Sequence, residues 1–524
     1  MIIRVILTMK QKLIELNQAK AIPIWLMLAA FVALIYIGVA QLIFGYSGFP
    51  LDDSWIYQTY ARNLGEHGQL AFRLGQPSTG STAPLWTILL SIGYAMHIPF
   101  KLWTYSLGIL FLGLSGFNMA LLSKQLFPDK LWLGSLIGLA VVIEWHLVWA
   151  AVSGMETIFF IWLSIFILER YATFRQSNDW GNCLSLGILG GFLILTRPEG
   201  IGLIGLIGLE IIITSFQDNW SVKPWFDRQS RLCPSKKCVG KIILIIIGLA
   251  IPTVPYLIFN YFTTGMILPN TFYAKQAEYA MLLSQIRFFE RWLDVCLVTL
   301  IGGQALLIPG LLKAFTKLAH KKSPLLWLIA VWWFSLLTLY AIRLPITYQH
   351  GRYQIPTIPW LLLLGIWGIS YFFSMRSIRM RQRIFSQVGI ISITLAMVLF
   401  IGIGANGYAN DVQFIETEMV TTAHWLEEHT EPEEIIASHD IGAIGYFSQR
   451  SLVDLAGLVT PDVIPFIRNE KELLAFSKEQ GADYLVVFPS WYPTLTETSP
   501  QIYTTQATWA KKAGYENMAV YRIE

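Results

Sequence analysis

The first 409 residues alternate between long apolar blocks and short polar connections. Twelve blocks lie near residues 22–44, 84–98, 103–123, 131–150, 154–170, 182–196, 199–216, 241–262, 292–315, 325–343, 355–374 and 385–406. A run of about 20 apolar residues matches the thickness of the hydrocarbon core of a bilayer. The pattern therefore predicts a polytopic α-helical membrane protein.

The sidedness of these blocks follows from their basic residues, because Lys and Arg in short loops favour the cytoplasmic side. The basic residues concentrate near residues 1–20, 124–130, 170–175, 223–241, 313–322 and 376–383. All six segments share one side only if one block does not cross the bilayer. Block 84–98 is short and begins at a proline, so we predict that it forms a re-entrant or juxtamembrane helix. This leaves about 11 transmembrane helices and a cytoplasmic N-terminus.

The composition changes after residue 409. Residues 410–524 hold 18 acidic and 7 basic residues and no block long enough to span a bilayer. Residues 411–429 have the spacing of an amphipathic helix. The segments EEIIASHD, SLVDLAG, DYLVVFP and MAVYRIE are typical of strands, LLAFSKEQ of a helix, and HDIGAIGYFS of a tight loop. We predict a transmembrane domain at 1–409, with a large outside loop at 45–100, and a soluble α/β domain outside the membrane at 410–524.

Overall composition supports this division and narrows the function. The chain is 54% hydrophobic and 14% charged, against about 25% charged residues in a typical soluble domain. The acidic excess of the C-terminal domain argues against a nucleic-acid partner. Six polar segments fall on the predicted outer face: LDDSWIYQTYARN, GSTAPLW, SGMET, TRPEG, LPNTFYAK and QHGRYQIP. Polar groups at membrane depth are costly and mark sites, so we predict an active cavity at the outer membrane surface.

Two adjacent carboxylates open the first of these segments. Asp52 and Asp53 follow the first span directly, and a carboxylate at the membrane surface can take a proton from an incoming hydroxyl. The alternative is that they only cap the next helix, since Asp favours helix N-termini. That helix, WIYQTYARNL, has the spacing of an interfacial amphipathic helix.

Basic residues in two later segments are candidates for binding an anion. Arg352 lies beside His350 and Tyr353, just before a span, where an arginine can hold a phosphate at the membrane surface. Snorkelling to the interface is the alternative interpretation. Lys275 lies in LPNTFYAK, and by itself a loop lysine is most often a solvated charge.

The remaining candidates are mostly acidic. Glu156 lies at a predicted helix start, where its charge can simply favour the helix N-terminus. Arg197 and Glu199 flank a proline in a hairpin and can form a simple ion pair. His439 and Asp440 end the first strand of the C-terminal domain, a place where ligand contacts often arise in α/β sheets. A purely structural turn is the alternative there.

The first outside loop resembles that of bacterial GT-C superfamily glycosyltransferases. The resemblance lies in DDSWIYQTYARNLGEHGQLAF, followed by STGSTAPLWT. It continues in SGMET, TRPEG, LPNTFYAK, GRYQIPTIP and HDIGAIGYFSQRSLVDLAGLVTP. Among the known groups, the chain is most similar to the mycobacterial terminal arabinofuranosyltransferases. One departure is that the aromatic–Arg–Tyr usual in the family reads Gln58, Thr59 and Tyr60 here.

The resemblance implies a GT-C-like fold and an enzyme that is a hexosyl- or pentosyltransferase. Such enzymes take a sugar from a polyprenyl-phosphate carrier and pass it to an acceptor hydroxyl of a glycan or lipid. The reaction takes place outside the cytoplasmic membrane, in which the enzyme is a multi-pass protein. An aspartate would be the general base of an inverting transfer, and Asp52 is favoured because the family aspartate opens the motif.

The resemblance extends to the other candidates as well. Arg352, with Lys275 or Arg197, would hold the departing phosphate, and the soluble domain would help to bind the acceptor. Some relatives use a divalent cation such as Mg²⁺, Mn²⁺ or Ca²⁺, for which Asp52, Asp53 and Glu156 would supply oxygen ligands. Two other functions remain open: a transporter or flippase of lipid-linked saccharides, and a catalytically silent scaffold for envelope assembly.

Overall fold

A computed structural model describes residues 21–177, 180–222, 236–320, 323–372 and 380–523. The basic segment 1–20 lies outside the described residues, as do 223–235, 321–322 and 376–379 of three further basic segments. The sidedness inferred from these segments therefore stays a prediction.

The described residues between 21 and 414 are mainly helical. Their helices are α1 (Ile22–Phe44), α2 (Asp52–His67), α3 (Pro84–Ala95), α4 (Phe100–Leu126), α5 (Trp132–Ile143), α6 (Trp145–Val152), α7 (Thr157–Ser177), α8 (Trp180–Thr196), α9 (Gly200–Val222), α10 (Lys236–Thr264), α11 (Asn270–Gln285), α12 (Phe288–Val298), α13 (Ile308–His320), α14 (Pro324–Arg343), α15 (Ile358–Ile369) and α16 (Met380–Phe414). A short antiparallel hairpin, β1 (Ala71–Arg73) and β2 (Gln76–Pro77), lies in the first loop.

The polytopic helical architecture predicted from the sequence is confirmed, but the number of long spans is smaller than expected. Among the described residues, six helices are long and apolar enough to cross a bilayer, or up to eight if each of two bent pairs counts once. The bent pairs are α5 with α6, at 54°, and α12 with residues 303–320, at 104°. Apolar helices of 10–17 residues, α3 and α8 among them, are too short at 1.5 Å per residue to cover about 30 Å. A count of 11 is reached only if such shorter helices are included.

Helix α2 is predicted correctly in position but not in environment. Trp55, Gln58 and Tyr60 are all fully buried, whereas an interfacial amphipathic helix keeps one face in contact with water. Two neighbours cover α2, namely α3 and the short helix Gly442–Ser448 of the C-terminal domain. Gln58 spends its polar groups internally, since its amide donates to Thr104 Oγ1 at 3.0 Å and accepts from Tyr94 at 2.9 Å.

The C-terminal region is an α/β domain, as predicted. Its helices are α17 (Thr421–His429), α18 (Gly442–Ser448), α19 (Glu470–Glu479), α20 (Pro493–Glu497) and α21 (Thr508–Lys512), and its strands are β3 (Ile435–Ser438), β4 (Ser451–Asp454), β5 (Ala482–Val487), β6 (Gln501–Thr504) and β7 (Ala519–Arg522). The sheet order is β4-β3-β5-β7-β6. Strand β3 pairs in parallel with β4 and β5, and β7 pairs antiparallel with β5 and β6.

The segment HDIGAIGYFS is not the tight loop predicted from its glycines, because most of it forms helix α18. The two glycines serve close packing. A Cβ on Gly442 would overlap the backbone oxygen of Asp52, and a Cβ on Gly445 would lie 2.5 Å from the ring of Phe72. The small residues therefore let the backbone of α18 lie directly against the first outside loop.

The C-terminal domain is anchored at two places. Helix α16 runs through the predicted boundary at residue 410 and continues as a π-helical segment, Ile415–Val420, into α17. A separate hydrophobic cluster joins Ile56 and Tyr60 of α2, Ala274 of α11, and Ile441 and Leu458 of the domain. The domain thus packs on the first outside loop and on α11, above the membrane helices.

Candidate active site

A cavity of about 550 Å³ lies where the membrane helices meet the first outside loop, and Leu458 of the C-terminal domain reaches its wall. All six polar segments that the sequence placed on one face contribute lining residues. Seven candidate residues line this cavity: Asp53, Glu156, Arg197, Glu199, Lys275, Arg352 and Tyr353. Segments that lie up to 300 residues apart in the chain therefore converge on one chamber.

One end of the cavity, which we call the Arg352 end, consists of Asp53, Lys275, Arg352 and Tyr353. Arg352 Nη1 lies 2.8 Å from Asp53 Oδ2. The Tyr353 hydroxyl accepts from Arg352 Nη2 at 2.9 Å and from Lys275 Nζ at 3.1 Å. Arg352 Nε is buried and has no hydrogen-bond partner among the described residues. This end therefore has two cations for one carboxylate and a donor left over.

The protonation of these groups follows from their burial and from one another. Burial alone would raise the pKa of Asp53, but Arg352 and then Lys275 outweigh it, so that its pKa lies below its ordinary value. Burial likewise opposes the charged form of Lys275, yet Tyr353 and Asp53 raise the pKa of this lysine. The pKa of the Tyr353 hydroxyl is lowered, because Arg352 and Lys275 outweigh its burial. At neutral pH Asp53 and Lys275 are therefore both charged beside Arg352.

A strained turn presents Arg352 to the cavity. Gln349, His350 and Gly351 have φ values of +52°, +58° and +65°, and residues other than glycine rarely adopt this region. His350 Nε2 lies 2.8 Å from Asp411 Oδ2 at the end of α16, and the indole of Trp149 donates to the same oxygen at 2.9 Å. Strain of this kind persists only where the surroundings enforce it, and the Asp411 contact supplies that restraint.

The opposite composition occurs at the Arg197 end, formed by Glu156, Arg197, Glu199 and Tyr340. Arg197 Nε lies 2.7 Å from Glu199 Oε1 and 3.7 Å from Glu156 Oε1, and Tyr340 donates to Glu199 Oε1 at 2.6 Å. Glu156 Oε2 is buried and has no hydrogen-bond partner among the described residues. Burial would lower the pKa of Arg197, but Glu199, Tyr340 and Glu156 raise it. One cation here serves two carboxylates.

Asp52 and Asp53 have different surroundings although they are neighbours in the chain. Asp52 does not line the cavity, nor does it cap its own helix. Its Oδ2 accepts from Gly442 N at 2.7 Å and its Oδ1 from Ala443 N at 2.8 Å, so it caps α18 of the C-terminal domain. Burial raises the pKa of Asp52 to about 6, against the lowering effect of these two hydrogen bonds.

Three further candidates, like Asp52, lie outside the cavity lining. His350 contacts Asp411 and the rings of Trp145 and Trp149. His439 Nδ1 pairs with the Tyr492 hydroxyl at 2.7 Å, and burial together with Arg468 lowers the pKa of His439 to about 4. For Asp440, burial and then the charges of Asp52 and Asp53 raise the pKa. His439 and Asp440 are therefore near the first-loop carboxylates without lining the cavity.

Three lining tyrosines, Tyr57, Tyr256 and Tyr340, were not identified from the sequence. The hydroxyl of Tyr57 pairs with Thr82 Oγ1 at 2.8 Å, and burial and then Glu156 raise its pKa. Tyr340 lies in α14, a helix that the sequence marks only as a span. For Tyr57, a signal was present in its spacing of four residues from Asp53, since residues four apart share one face of a helix. Nothing in the sequence distinguishes Tyr340 from the other aromatic residues of the spans.

The three carboxylates considered as cation ligands, Asp52, Asp53 and Glu156, do not suit a divalent cation. Asp53 is paired with Arg352, Glu156 shares Arg197 with Glu199, and both oxygens of Asp52 accept backbone amides. A cation with oxygen ligands prefers several free carboxylates. Among the described residues, no group of three His, Cys, Asp or Glu side chains could hold a metal ion. We therefore assign no step to a metal.

Comparisons with known proteins identify the fold. A family described as a domain of unknown function, DUF8728, matches residues 398–521, which is the C-terminal domain with the end of α16. A comparison with curated proteins finds no match.

Solved structures match over most of the chain. ArnT from Cupriavidus metallidurans has a TM-score of 0.54 in the apo state, with 14% identity over 95% of this chain and 97% of ArnT. Its complex with undecaprenyl phosphate has a TM-score of 0.50 at the same identity and coverage. The Archaeoglobus fulgidus oligosaccharyltransferase tethered to an acceptor peptide has a TM-score of 0.57, with 11% identity over 95% of this chain and 74% of that protein.

The protein thus has the fold of the GT-C glycosyltransferases, as the first-loop motif predicted. The arabinofuranosyltransferase AftD from Mycobacteria is less similar, with a TM-score of 0.46 and 14% identity over 95% of this chain and 40% of AftD. That likeness favours no particular sugar.

Proposed function

We propose that the protein is a membrane glycosyltransferase that moves a sugar from a polyprenyl-phosphate donor to an acceptor hydroxyl. The observation that carries the proposal is the buried pair of Asp53 and Arg352, 2.8 Å apart, beside Lys275 in a largely apolar cavity. A carboxylate base and an anion site in one chamber are the two groups that such a transfer requires.

A lipid-linked donor suits the walls of this cavity. Leu257, Leu268 and Leu339 are among its many apolar lining residues. Ile201 lines the cavity too and is 61% exposed on the surface of the membrane helices, so the chamber reaches the surface that faces lipid. An isoprenoid chain can lie along these walls while its phosphate contacts Arg352 and Lys275. ArnT, which shares the fold, has been solved with undecaprenyl phosphate.

Donor binding prepares Asp53 to accept a proton. In the free protein Arg352 is the main charge that lowers the pKa of Asp53, against the effect of burial. A donor phosphate competes with Asp53 for Arg352. When the phosphate binds Arg352, the guanidinium no longer offsets the effect of burial on Asp53, and the pKa of Asp53 rises. The carboxylate therefore becomes a stronger base when the donor is in place.

The reaction is a single displacement at the anomeric carbon. The acceptor oxygen forms a bond to that carbon as the bond to the phosphate oxygen breaks, and Asp53 takes the acceptor proton. The leaving polyprenyl phosphate gains one negative charge, which Arg352 and Lys275 stabilise. One displacement inverts the configuration at the anomeric carbon.

Asp53 is a better candidate for the base than Asp52, which the motif had favoured. A pKa of about 6 would suit a general base. However, both oxygens of Asp52 already accept amides of α18, and Asp52 does not line the cavity. We assign Asp52 the role of holding the C-terminal domain, and Asp53 the proton transfer.

The acceptor, a glycan or lipid hydroxyl, approaches from the side of the C-terminal domain, where His439 and Asp440 lie near Asp53. The positive segments of the chain favour a cytoplasmic N-terminus and an extracytoplasmic C-terminal domain. We therefore place the enzyme in the cytoplasmic membrane, with its site on the outer side.

The test compares Asp53→Asn with Asp52→Asn in full-length protein reconstituted in liposomes. Envelope glycans from a strain lacking the protein identify the missing sugar, and complementation with each variant reports transfer. We expect Asp53→Asn to lower transfer by about 10²–10⁴-fold while undecaprenyl phosphate binding is kept. Asp52→Asn should instead loosen the C-terminal domain, seen as faster hydrogen exchange in α18.

Two results would contradict the proposal. Full transfer by Asp53→Asn would remove Asp53 as the base. Passage of labelled donor across the vesicle membrane, with no new glycosidic bond, would indicate a transporter or flippase.

A further inference from the structure

One carboxylate oxygen of Glu156 receives no hydrogen bond from the part of the chain that the structure describes. Oε2 of Glu156 is buried and has no partner among the described residues, and Glu156 lines the cavity. The Tyr57 hydroxyl pairs with Thr82 Oγ1 and also interacts with the Glu156 carboxylate, but it does not satisfy Oε2. A buried acceptor without a partner is costly. Such an atom at a cavity wall therefore points to a ligand that donates to it.

The charge around this oxygen restricts the ligand further. Arg197 is closer to Glu199, at 2.7 Å, than to Glu156, at 3.7 Å. Tyr340 also donates to Glu199, so Glu199 is the better satisfied of the two carboxylates. The Arg197 end has two carboxylates for one guanidinium. Arg343, three residues after Tyr340 in α14, lines the same cavity but is exposed. Glu156 and Arg197 are buried, and charges in a buried site are weakly screened.

The position of this end relates it to the sugar of the donor. The guanidinium of Arg197 lies 5.9 Å from the ring centre of Tyr353, which itself belongs to the Arg352 end. The two ends are therefore adjacent, at about the distance that separates a phosphate from the far side of a sugar ring. A donor whose phosphate contacts Arg352 places its sugar between Asp53 and the Arg197 end.

We propose that the Arg197 end is the sugar subsite and that Glu156 selects a donor sugar with a hydrogen-bond donor, a hydroxyl or an ammonium group, and rejects a sugar acid. This inference rests on the proposed function, since it takes the Arg352 end as the phosphate site. A sugar carboxylate would have to enter beside two carboxylates that share one cation. Repulsion between like charges at buried contacts discriminates strongly.

The experiment measures binding of four ligands to the reconstituted full-length protein by competition with a fluorescent undecaprenyl phosphate. These are undecaprenyl phosphate alone and its glucosyl, 6-amino-6-deoxyglucosyl and glucuronosyl derivatives, three sugars that differ only at C6. We expect the glucuronosyl derivative to bind at least about 100-fold more weakly than the glucosyl derivative. The 6-amino-6-deoxyglucosyl derivative shows which hydrogen-bond donor Glu156 prefers. Tighter binding than that of the glucosyl derivative indicates a preference for an ammonium group, and equal or weaker binding indicates a preference for a hydroxyl.

Glu156→Gln is the matched variant, because it keeps the shape of the side chain and removes the charge. We expect it to reduce the discrimination against the glucuronosyl derivative to less than about 10-fold. It should leave binding of undecaprenyl phosphate alone unchanged, which also reports that the variant is folded. Arg352→Ala should weaken all four ligands together.

The outcomes separate this inference from the proposed function. If undecaprenyl phosphate alone shows no binding that depends on Arg352, the proposed function fails. If it binds but the glucuronosyl and glucosyl derivatives bind equally well, the phosphate site stands and the sugar selection is wrong. Discrimination that survives intact in Glu156→Gln would also overturn the role of Glu156.

Discussion

The two ends of the cavity use the same residue types in opposite proportions. The Arg352 end sets Arg352 and Lys275 against Asp53, whereas the Arg197 end sets Arg197 against Glu156 and Glu199. Within the described part of the chain, each end keeps one atom without a hydrogen-bond partner, a donor at Arg352 Nε and an acceptor at Glu156 Oε2. An unpaired donor at one end and an unpaired acceptor at the other end of the same cavity indicate a single ligand with an anionic part and a hydrogen-bond-donating part.

The ends also differ in how the backbone holds them. Arg197 lies in the short connection between two regular helices, α8 and α9. Arg352 follows a turn of three residues with positive φ that depends on a contact between His350 and Asp411. The Arg352 end is thus enforced by tertiary contacts, and it is the end at which a change in backbone should alter ligand binding.

Apart from Asp53→Asn, the largest effect is expected from removing the cation that Asp53 and the donor phosphate share. Arg352→Ala leaves the buried Asp53 without its closest partner and should lower transfer by about 10³-fold, measured as release of free polyprenyl phosphate. Arg352→Lys keeps the charge but not the planar fork, so we expect an intermediate loss. Equal activity of the Lys and Ala variants would show that charge alone does not explain this end.

Arg197→Met should act mainly on stability. It leaves two buried carboxylates uncompensated, and breaking a buried pair in this way costs about 3–5 kcal/mol, measured by thermal unfolding in detergent. The matched variant is Arg197→Met combined with Glu156→Gln and Glu199→Gln, which should recover most of the loss. An unfolding temperature unchanged by Arg197→Met alone would mean that the Arg197 end is solvated.

The pH dependence distinguishes the two aspartates. A base must be ionised, so activity falls as the pH drops below its pKa. The pKa of Asp53 is lowered in the free protein, so kcat/KM should stay flat on the acid side down to about pH 4. With Asp52 as the base, kcat/KM would fall below about pH 6.

The same profile tests the effect of the donor on Asp53. Because the donor phosphate takes Arg352 from Asp53, the acid limb of kcat should lie at higher pH than that of kcat/KM. Coinciding limbs would contradict this competition.

The smallest effect is expected in the strained turn. Gln349 is exposed at φ +52°, so Gln349→Gly should relieve strain and raise the free energy of unfolding by about 1 kcal/mol. Gln349→Val should lower it and weaken donor binding, because a β-branched residue is least tolerated there. His97 is also exposed, at φ +54°, and provides the control: the same substitutions should change stability without affecting the donor. Equal donor binding by the Gly and Val variants of Gln349 would show that the conformation of the turn does not affect how Arg352 binds the donor.

The sequence predicted which segments meet, but not which of their side chains face the cavity and which face the C-terminal domain. Asp53, Lys275 and Arg352 were chosen on the expectation that polar groups at membrane depth gather at a site, and all three line the same cavity. The rotation of α2 was not predictable. Adjacent residues point about 100° apart on a helix, and only the packing of α18 determines that Asp52 turns to the domain and Asp53 to the cavity.

Two further expectations failed for the same physical reason. Helix α2 shows a mixture of polar and apolar residues that is typical of an interface, yet it is covered by a domain more than 370 residues away in the chain. HDIGAIGYFS has the glycines of a loop, but in α18 they permit close contact with Asp52 and Phe72. The local sequence pattern indicates which conformations and environments a segment can adopt, whereas contacts with residues distant in the chain determine which of them it adopts.

The cap that Asp52 places on α18 has a consequence for how this architecture can be recombined. The C-terminal domain cannot be exchanged independently of the first loop. Its contact with that loop consists of the Asp52 side chain, which accepts two amides of α18, and Gly442, which has no space for a methyl group. A transplanted domain must bring a residue as small as Gly442 together with two open amides. A chimera between relatives would therefore fold correctly only when the first loop and the C-terminal domain come from the same protein.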